Sequence, residues 1–144
     1  MEIGFFEEFP TQKNLEKLKL IDFKTKIYVA ASNLKHFYAL RRKIKKINKN
    51  VKKVIYWPTL DKEDGYWISP FSRRKALKKA FEEIKNKNDK SIEVMLDLEP
   101  PYNRMLMLTG LLDFYKNRRL IKRFIKEYKK EMRKLGFKYV GIGF

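Results

Sequence analysis

The chain has 144 residues, 44% hydrophobic and 15% aromatic, which is enough for one substantial core but short for two. A single domain over 1–144 with no linker is expected, and intrinsic disorder is excluded. With no cysteine and one histidine, His36, the chain has no disulfide, thiol nucleophile or cysteine zinc site, and a histidine metal site or Ser-His-Asp triad is poorly supplied.

Thirty-five Lys and Arg against 17 Asp and Glu give a net charge of +18, a balance that favours nucleic acid or anionic surfaces. Yet 26 of the 35 bases are Lys and 9 are Arg, and Ile and Asn are abundant while Gln12 is the single glutamine. Such a bias suits an AT-rich genome, and scarce Gln with no Cys is mildly thermophile-like. A generally basic surface therefore explains the charge as well as a dedicated polyanion site does. No apolar run approaches the roughly 18 residues of a membrane span, and MEIGFFEEFP has neither the basic start nor the apolar stretch of a secretory leader. The expectation is a cytoplasmic protein without membrane association.

Read in chain order, a first strand is predicted over Glu2 to Phe6, followed by a turn at Pro10. Thr11 then caps a helix carrying Leu15, Leu18 and Ile21. A second strand runs from Lys26 to Ala31, after which Ser32 caps a helix with Leu34, Phe37, Leu40, Ile44 and Ile47 on one face. The third strand is Val51 to Trp57, followed by the loop PTLDKEDGYWISPF. Ser72 caps a third helix marked by Ala76, Leu77, Ala80, Phe81 and Ile84. The fourth strand spans Ser91 to Leu98 and stops at Pro100 and Pro101. A helical stretch to about Leu135 follows, broken near Lys116 and Asn117, with Gly136 as its C-cap and a last strand in KYVGIGF.

The order βαβαβαβαβ argues for an α/β protein with a parallel sheet and right-handed crossovers. Two architectures compete: an open, five-stranded doubly wound sheet, and a TIM-barrel-like fold with about four and a half of eight βα units. Alternation along the fourth strand puts Glu93, Met95, Asp97 and Glu99 on one face and Val94, Leu96 and Leu98 on the other. A sheet covered by helices on both sides should be apolar on both faces. One polar face, more polar toward the C-terminal end of the strand, favours the barrel.

The sharpest local signal is Asp97-Leu98-Glu99-Pro100-Pro101. Carboxylates two apart on a strand point the same way and raise each other's pKa, which keeps one protonated for use as a general acid. The competing structural roles are capping of the next helix or pairing with Arg104. Glu8, in phase with Gly4 and Phe6, ends the first strand as a third catalytic candidate, or else as a solvated loop acid. Asn33 and His36 are read as a capping and a surface residue. The loop after the third strand gathers Trp57, Tyr66, Trp67 and Phe71, flat faces suited to stacking on sugar rings or bases. Trp57, Tyr66, Trp67, Tyr102 and Arg104 are the substrate-binding candidates, with Trp57 equally suited to a core role.

A parallel βα chain with this DLEPP strand end resembles the N-terminal half of a (β/α)8 glycoside hydrolase. The largest clan of such enzymes ends its fourth strand in Asn-Glu-Pro, the Glu being the acid/base; Glu99-Pro100 matches and Leu98 departs. The chitinase-like family ends that strand in D-x-x-D-x-D-x-E; Asp97 and Glu99 match its last two acids, and Ile92 and Met95 depart at the first two. The segment YWPTL…GYWISPF is similar to a saccharide-binding barrel loop. The resemblance implies a saccharide-active protein with Glu99 as general acid/base, Asp97 tuning it, and no cofactor.

A complete barrel needs about 200 to 250 residues, so strands six to eight are missing from this sequence, and with them the nucleophile that the Asn-Glu-Pro clan carries on strand seven. The expectations are that Glu8 supplies the second carboxylate, that substrate assistance replaces it, or that the chain is a truncated remnant. An open half-barrel also exposes strand edges, which favours a homodimer or a second half-barrel chain as partner.

The rival reading is a non-enzymatic nucleic-acid or polyanion binder. Between Phe23 and Leu60 lie 11 bases and no acid, including Arg41, Arg42, Lys45 and Lys46 on the second helix. Another 11 bases lie between Lys116 and Lys138, against Glu127 and Glu131. No helix-turn-helix, zinc, RNP-type or glycine-rich phosphate motif accompanies them.

Overall fold

A computed structural model describes residues 3–101, 103–135 and 142–143 as an α/β protein. Strands β1 (Ile3–Glu7), β2 (Thr25–Ala31) and β3 (Val51–Pro58) form a parallel sheet in that order. Beyond β3, the Tyr56 N–H donates to the Glu93 carbonyl (3.0 Å) and the Tyr56 carbonyl accepts from the Met95 N–H (2.8 Å), a parallel bridge between Tyr56 and Val94. That bridge sets β4 (Leu96–Asp97) beside β3, and β4 pairs in parallel with β5 (Ile142–Gly143). Among the described residues the strands therefore follow chain order across the sheet.

Between them run α1 (Gln12–Glu16), which continues as a 3-10 turn to Leu20, then α2 (Leu34–Ile47), α3 (Arg74–Lys85), α4 (Arg104–Thr109) and α5 (Phe114–Lys134). Thr11 caps α1 as expected, its side chain accepting from the Asn14 N–H at 3.2 Å. The second helix is capped one residue later than predicted. Asn33, not Ser32, stands in extended backbone three residues before His36 and accepts its N–H at 2.8 Å. Ser72 does not cap α3; its hydroxyl is engaged within the preceding loop, and Arg73 at the N-cap makes no side-chain cap bond.

Two further boundaries differ from the periodic reading. The fourth strand is two residues long rather than the span from Ser91 to Leu98. Asp89 forms a turn there, accepting from the Ser91 N–H at 3.0 Å while holding Arg41 at 2.8 Å, so the chain reaches the sheet edge only at Val94. The break in the long helical stretch falls at Gly110–Leu112 and Asp113, not at Lys116 and Asn117. Gly110 lies against the backbone of Phe71, whose carbonyl oxygen would be 2.6 Å from any added Cβ. Asn117 is fully buried instead, donating to the carbonyls of Pro70 (3.0 Å) and Ser72 (2.9 Å) and accepting from Arg74 (3.2 Å). Gly136 and most of the last predicted strand lie outside the described residues.

The helices pack on one side of the sheet. Ile27, Val29, Ala31, Val54, Tyr56, Val94 and Leu96 meet Leu15, Phe37, Ile44, Leu77, Phe81, Phe124 and Met132 in one core. Phe81 and Phe124 stack at 4.1 Å and 7°, joining α3 to α5. The opposite face carries a second, smaller core of Ala30, Ile55, Trp57, Met95 and the loop residue Trp67, with Tyr28 and Tyr66 at its margin. Among the described residues no helix contributes to that smaller core. Phe6 covers it from β1, stacked on Tyr28 at 4.6 Å and edge-on to Trp57 at 6.1 Å, while remaining 65% exposed.

Phe124→Ala is expected to lower unfolding free energy by about 3–5 kcal/mol, the usual cost of an aromatic-sized core cavity. Gly110→Ala should cost about 1–3 kcal/mol through overpacking against Phe71. Urea unfolding of both variants measures the two losses, and a neutral Gly110→Ala would contradict the close approach described.

Candidate functional site at the carboxyl ends of the strands

Because the strands are parallel, their carboxyl ends share one edge of the sheet, and the segments leaving them converge there. Glu8 and Phe9 follow β1, Lys62, Glu63, Gly65 and Tyr66 lie in the loop after β3, and Asn103 follows β4. Together these residues line a cavity of about 590 Å³. That volume lies in the range of small-molecule sites.

The loop after β3 is held in one conformation. A 3-10 turn at Lys62–Asp64 ends on Gly65 at φ 119°, and Tyr66 follows at φ 61°. A bulky aromatic in the left-handed region is rare and persists where surrounding bonds determine it. Here the Tyr66 N–H donates to the Asp61 carbonyl (3.2 Å) and its carbonyl accepts from the Leu60 N–H (2.6 Å). The Ser72 hydroxyl donates to the Trp67 carbonyl (3.0 Å) and accepts from the Ser69 N–H (3.1 Å), while Asn117 anchors the loop's end to α5. The tyrosine ring at the cavity wall therefore sits on a fixed backbone.

Of the three acids singled out in the sequence, Glu99 and Glu8 bear on Asp97. Burial pushes the Asp97 carboxyl above its usual range, and the charges of Glu99 and then Glu8 push it further. Glu8 links the two features, since it lines the cavity and its charge reaches Asp97. Neither Asp97 nor Glu99 takes the structural role open to it. Asn103 caps α4, accepting from the Met105 N–H at 2.9 Å, and Arg104 is exposed without an ion pair among the described residues. Glu7, by contrast, is a turn acid that accepts from the Phe9 N–H at 3.0 Å.

Of the aromatic candidates, Tyr66 lines the cavity, half-buried, with Trp67 edge-on behind it at 5.3 Å. Trp57 and Trp67 are buried in the smaller core, so they back the cavity rather than form its open wall. The Trp57 indole nitrogen is buried without a hydrogen-bond partner. Tyr102 lies outside the described residues. Phe9, Lys62, Glu63 and Asn103 were not anticipated; the only signal for them was position within two loops that leave neighbouring strand ends.

The basic candidates on α2 are partly engaged in structure. Arg41 holds Asp89 at 2.8 Å, and Lys45 donates to the carbonyls of Val51 (2.7 Å) and Lys52 (2.6 Å). Arg42 and Lys46 are exposed. On α5, Glu127 and Glu131 pair with Lys85, Arg123 and Lys90, which leaves Lys116, Lys122, Lys126, Lys130 and Arg133 without acid partners among the described residues. Among the described residues no group of three or more His, Asp or Glu is placed to hold a metal ion, and no helix is long and apolar enough to cross a membrane.

No protein-family model, curated protein or solved structure matches the chain.

The raised Asp97 pKa has a definite sign in stability. The folded chain keeps a proton that the unfolded chain releases near the ordinary aspartate value of about 3.9, so stability is fullest below that pH and falls as pH rises through the elevated pKa. Asp97→Asn should therefore be more stable than wild type at pH 7, with no such gain at pH 3, as read from urea midpoints. A wild-type advantage at pH 7 would contradict the assignment.

Proposed function

We propose that the chain is a glycoside hydrolase-like (β/α)-barrel protein whose acid-bearing strand ends bind and cleave a saccharide. The observation that carries this reading is the coupling of Asp97, Glu99 and Glu8 at the carboxyl ends of parallel strands, beside a cavity walled by Tyr66. Strand ends are where barrel proteins keep their sites. The lineage itself is supported by strands that follow chain order without the reversal of a doubly wound sheet, and by helices on one face only.

In this reading Glu99 is the general acid/base, and Asp97, whose carboxyl burial and neighbouring charge hold above its usual range, is the group beside it that keeps a proton more readily. Glu8 is the second carboxylate; it lines the cavity, whereas Asp97 and Glu99 stand at the end of β4 outside its lining. Tyr66 stacks on a sugar ring, with Asn103 and Lys62 as polar contacts for hydroxyls. The free edge of β1 is the natural place for a second half-barrel or a second copy. Ile3, Phe5 and Phe23 are all exposed there, and a closed barrel would cover that edge.

Glu99→Gln is expected to reduce hydrolysis of a responsive oligosaccharide by about 100-fold or more while leaving its binding within a factor of a few; full activity in the variant would sink the assignment. Tyr66→Ala should weaken binding of the same saccharide by about tenfold, the scale of one lost aromatic platform.

A second reading, a nucleic-acid-binding surface, draws its support from the unpaired cations of α5 rather than from the α2 cluster. Under it, reversing Lys122, Lys126 and Lys130 to Glu weakens duplex binding and flattens its salt dependence, whereas Arg42→Glu with Lys46→Glu does less. Equal effects from the two sets would remove α5 as the interface.

A further inference from the structure

The exposed apolar residues of α4 and the cations of α5 have no use in the saccharide site. Met105, Leu108, Leu111, Leu112 and Tyr115 are all exposed, Leu112 at 90% and Tyr115 at 71%. Met105, Leu108 and Leu112 recur three and four apart along α4 and the 3-10 turn Gly110–Leu112, so they share one side of that segment. Single exposed leucines are ordinary, whereas a contiguous cluster marks a contact surface. This cluster has a fixed base. Gly110 lies against the Phe71 backbone, Phe114 packs on the Phe71 ring at 4.9 Å, and Asn117 holds the carbonyls of Pro70 and Ser72.

Tyr115 also heads a second stripe. Arg119, Lys122, Lys126, Lys130 and Arg133 follow it three and four apart, on the side of α5 away from the buried Ile121, Phe124, Tyr128 and Met132. All five are exposed, and none has an acid partner among the described residues. Glu127 and Glu131 lie off the stripe, paired with Lys85, Arg123 and Lys90. Asp113, half-buried, is the one acid between Arg104 and Lys126. By helix rise the stripe is about 27 Å long. Protruding aliphatic chains thus give way, through a tyrosine, to a row of unpaired cations.

That pairing of chemistries selects among occupants. A second copy of the chain supplies apolar cover but sets like charges against each other. A nucleic-acid duplex supplies phosphates for the cations but leaves the leucines in water. An anionic lipid surface supplies both: phosphates at the level of the cations, and acyl chains that admit protruding side chains without a matching pocket.

We propose that α4, the turn after it and the outward face of α5 form a docking surface for an anionic lipid membrane. Met105, Leu108, Leu111 and Leu112 enter the acyl layer, and the α5 cations lie against the headgroups. Tyr115 stands at the boundary, where an amphipathic ring is favoured. The contact is peripheral, since no described helix is long and apolar enough to span a membrane. It replaces the absence of membrane association expected from the sequence. It does not rest on the saccharide reading, and it differs from the duplex reading of α5 by giving the neighbouring leucines a role.

Co-sedimentation of the full chain with vesicles tests the surface. Wild type is expected to bind vesicles of equal parts phosphatidylcholine and phosphatidylglycerol, to release as salt rises, and to leave pure phosphatidylcholine vesicles unbound. Lys122→Gln, Lys126→Gln and Lys130→Gln together should weaken binding by about 100-fold. Leu111→Asn with Leu112→Asn, every cation intact, should weaken it by about tenfold. These positions are exposed, so urea midpoints of both variants should match wild type. Arg42→Gln with Lys46→Gln on α2 should leave binding within a factor of a few. No binding to the mixed vesicles at low salt would overturn the surface, as would equal losses from the α2 and α5 sets. Unchanged vesicle binding by the leucine variant would also overturn it, and tight duplex binding by the same variant would then give α5 to nucleic acid. A wild-type dimer in light scattering that the leucine variant splits would give the cluster to a second copy and overturn the membrane assignment.

Discussion

A parallel sheet can be joined only by crossovers, and successive right-handed crossovers between neighbouring strands all fall on one side. That constraint sets most of this molecule. Among the described residues, all the helix residues in the large core meet the same face of β2 to β4, so the other face is covered without helices. Trp67 and Tyr66 arrive from the loop after β3, and Phe6 leans across from β1. The cover is partial, and it places aromatic rings beside the strand ends where the acids gather. Asn117 and Gly110 then tie the loop to the last helices, which makes the site's wall depend on residues some fifty positions further along the chain.

Much of the fold was legible because its signals are periodic and local. The stripes of Phe37, Leu40 and Ile44, of Leu77, Phe81 and Ile84, and of Ile121, Phe124 and Tyr128 are buried in the structure. Alternation on the fourth strand correctly separated Val94 and Leu96, in the large core, from Met95, in the small one. What escaped were choices between chemically equivalent neighbours and contacts over long separations. Ser32 and Asn33 are both good caps, and the backbone makes Asn33 the residue three before the His36 N–H that needs an acceptor. Asn117 looked like a helix breaker because nothing nearby reveals that the carbonyls of Pro70 and Ser72 need its amide. Ser91 looked like a strand start because the Asp89 turn that delays pairing depends on Arg41, 48 residues away. In the candidate site, the acids were legible from phase along strands, whereas Phe9, Lys62 and Asn103 come from loops that obey no period.

The charge is distributed by the same architecture. Helix faces turned from the core carry most of the lysines, while Glu8, Asp61, Glu63, Asp64, Asp97 and Glu99 lie at or near the carboxyl ends of the strands. A chain of net charge +18 thus keeps an acidic mouth. The excess of lysine raises the local cost of bringing a cation there from a distance, yet leaves the carboxyl groups close enough to one another to hold Asp97 protonated more readily than in isolation. Composition reports the first fact and conceals the second.

The start of α3 carries a consequence for motion. Arg73 offers no cap, the first turn contains no acid, and Arg74 and Lys75 set positive charge against the positive end of the helix dipole. That terminus is therefore prone to fray, and the hydroxyl of Ser72 that could have secured it is committed to the loop instead. Fraying there lengthens the tether between the Tyr66 loop and the helix layer, while Asn117 still grips the carbonyls of Pro70 and Ser72. The Arg74 guanidinium limits that separation, since it donates to the Asn117 amide oxygen at 3.2 Å, so the aromatic wall and the start of α3 share one anchor on α5.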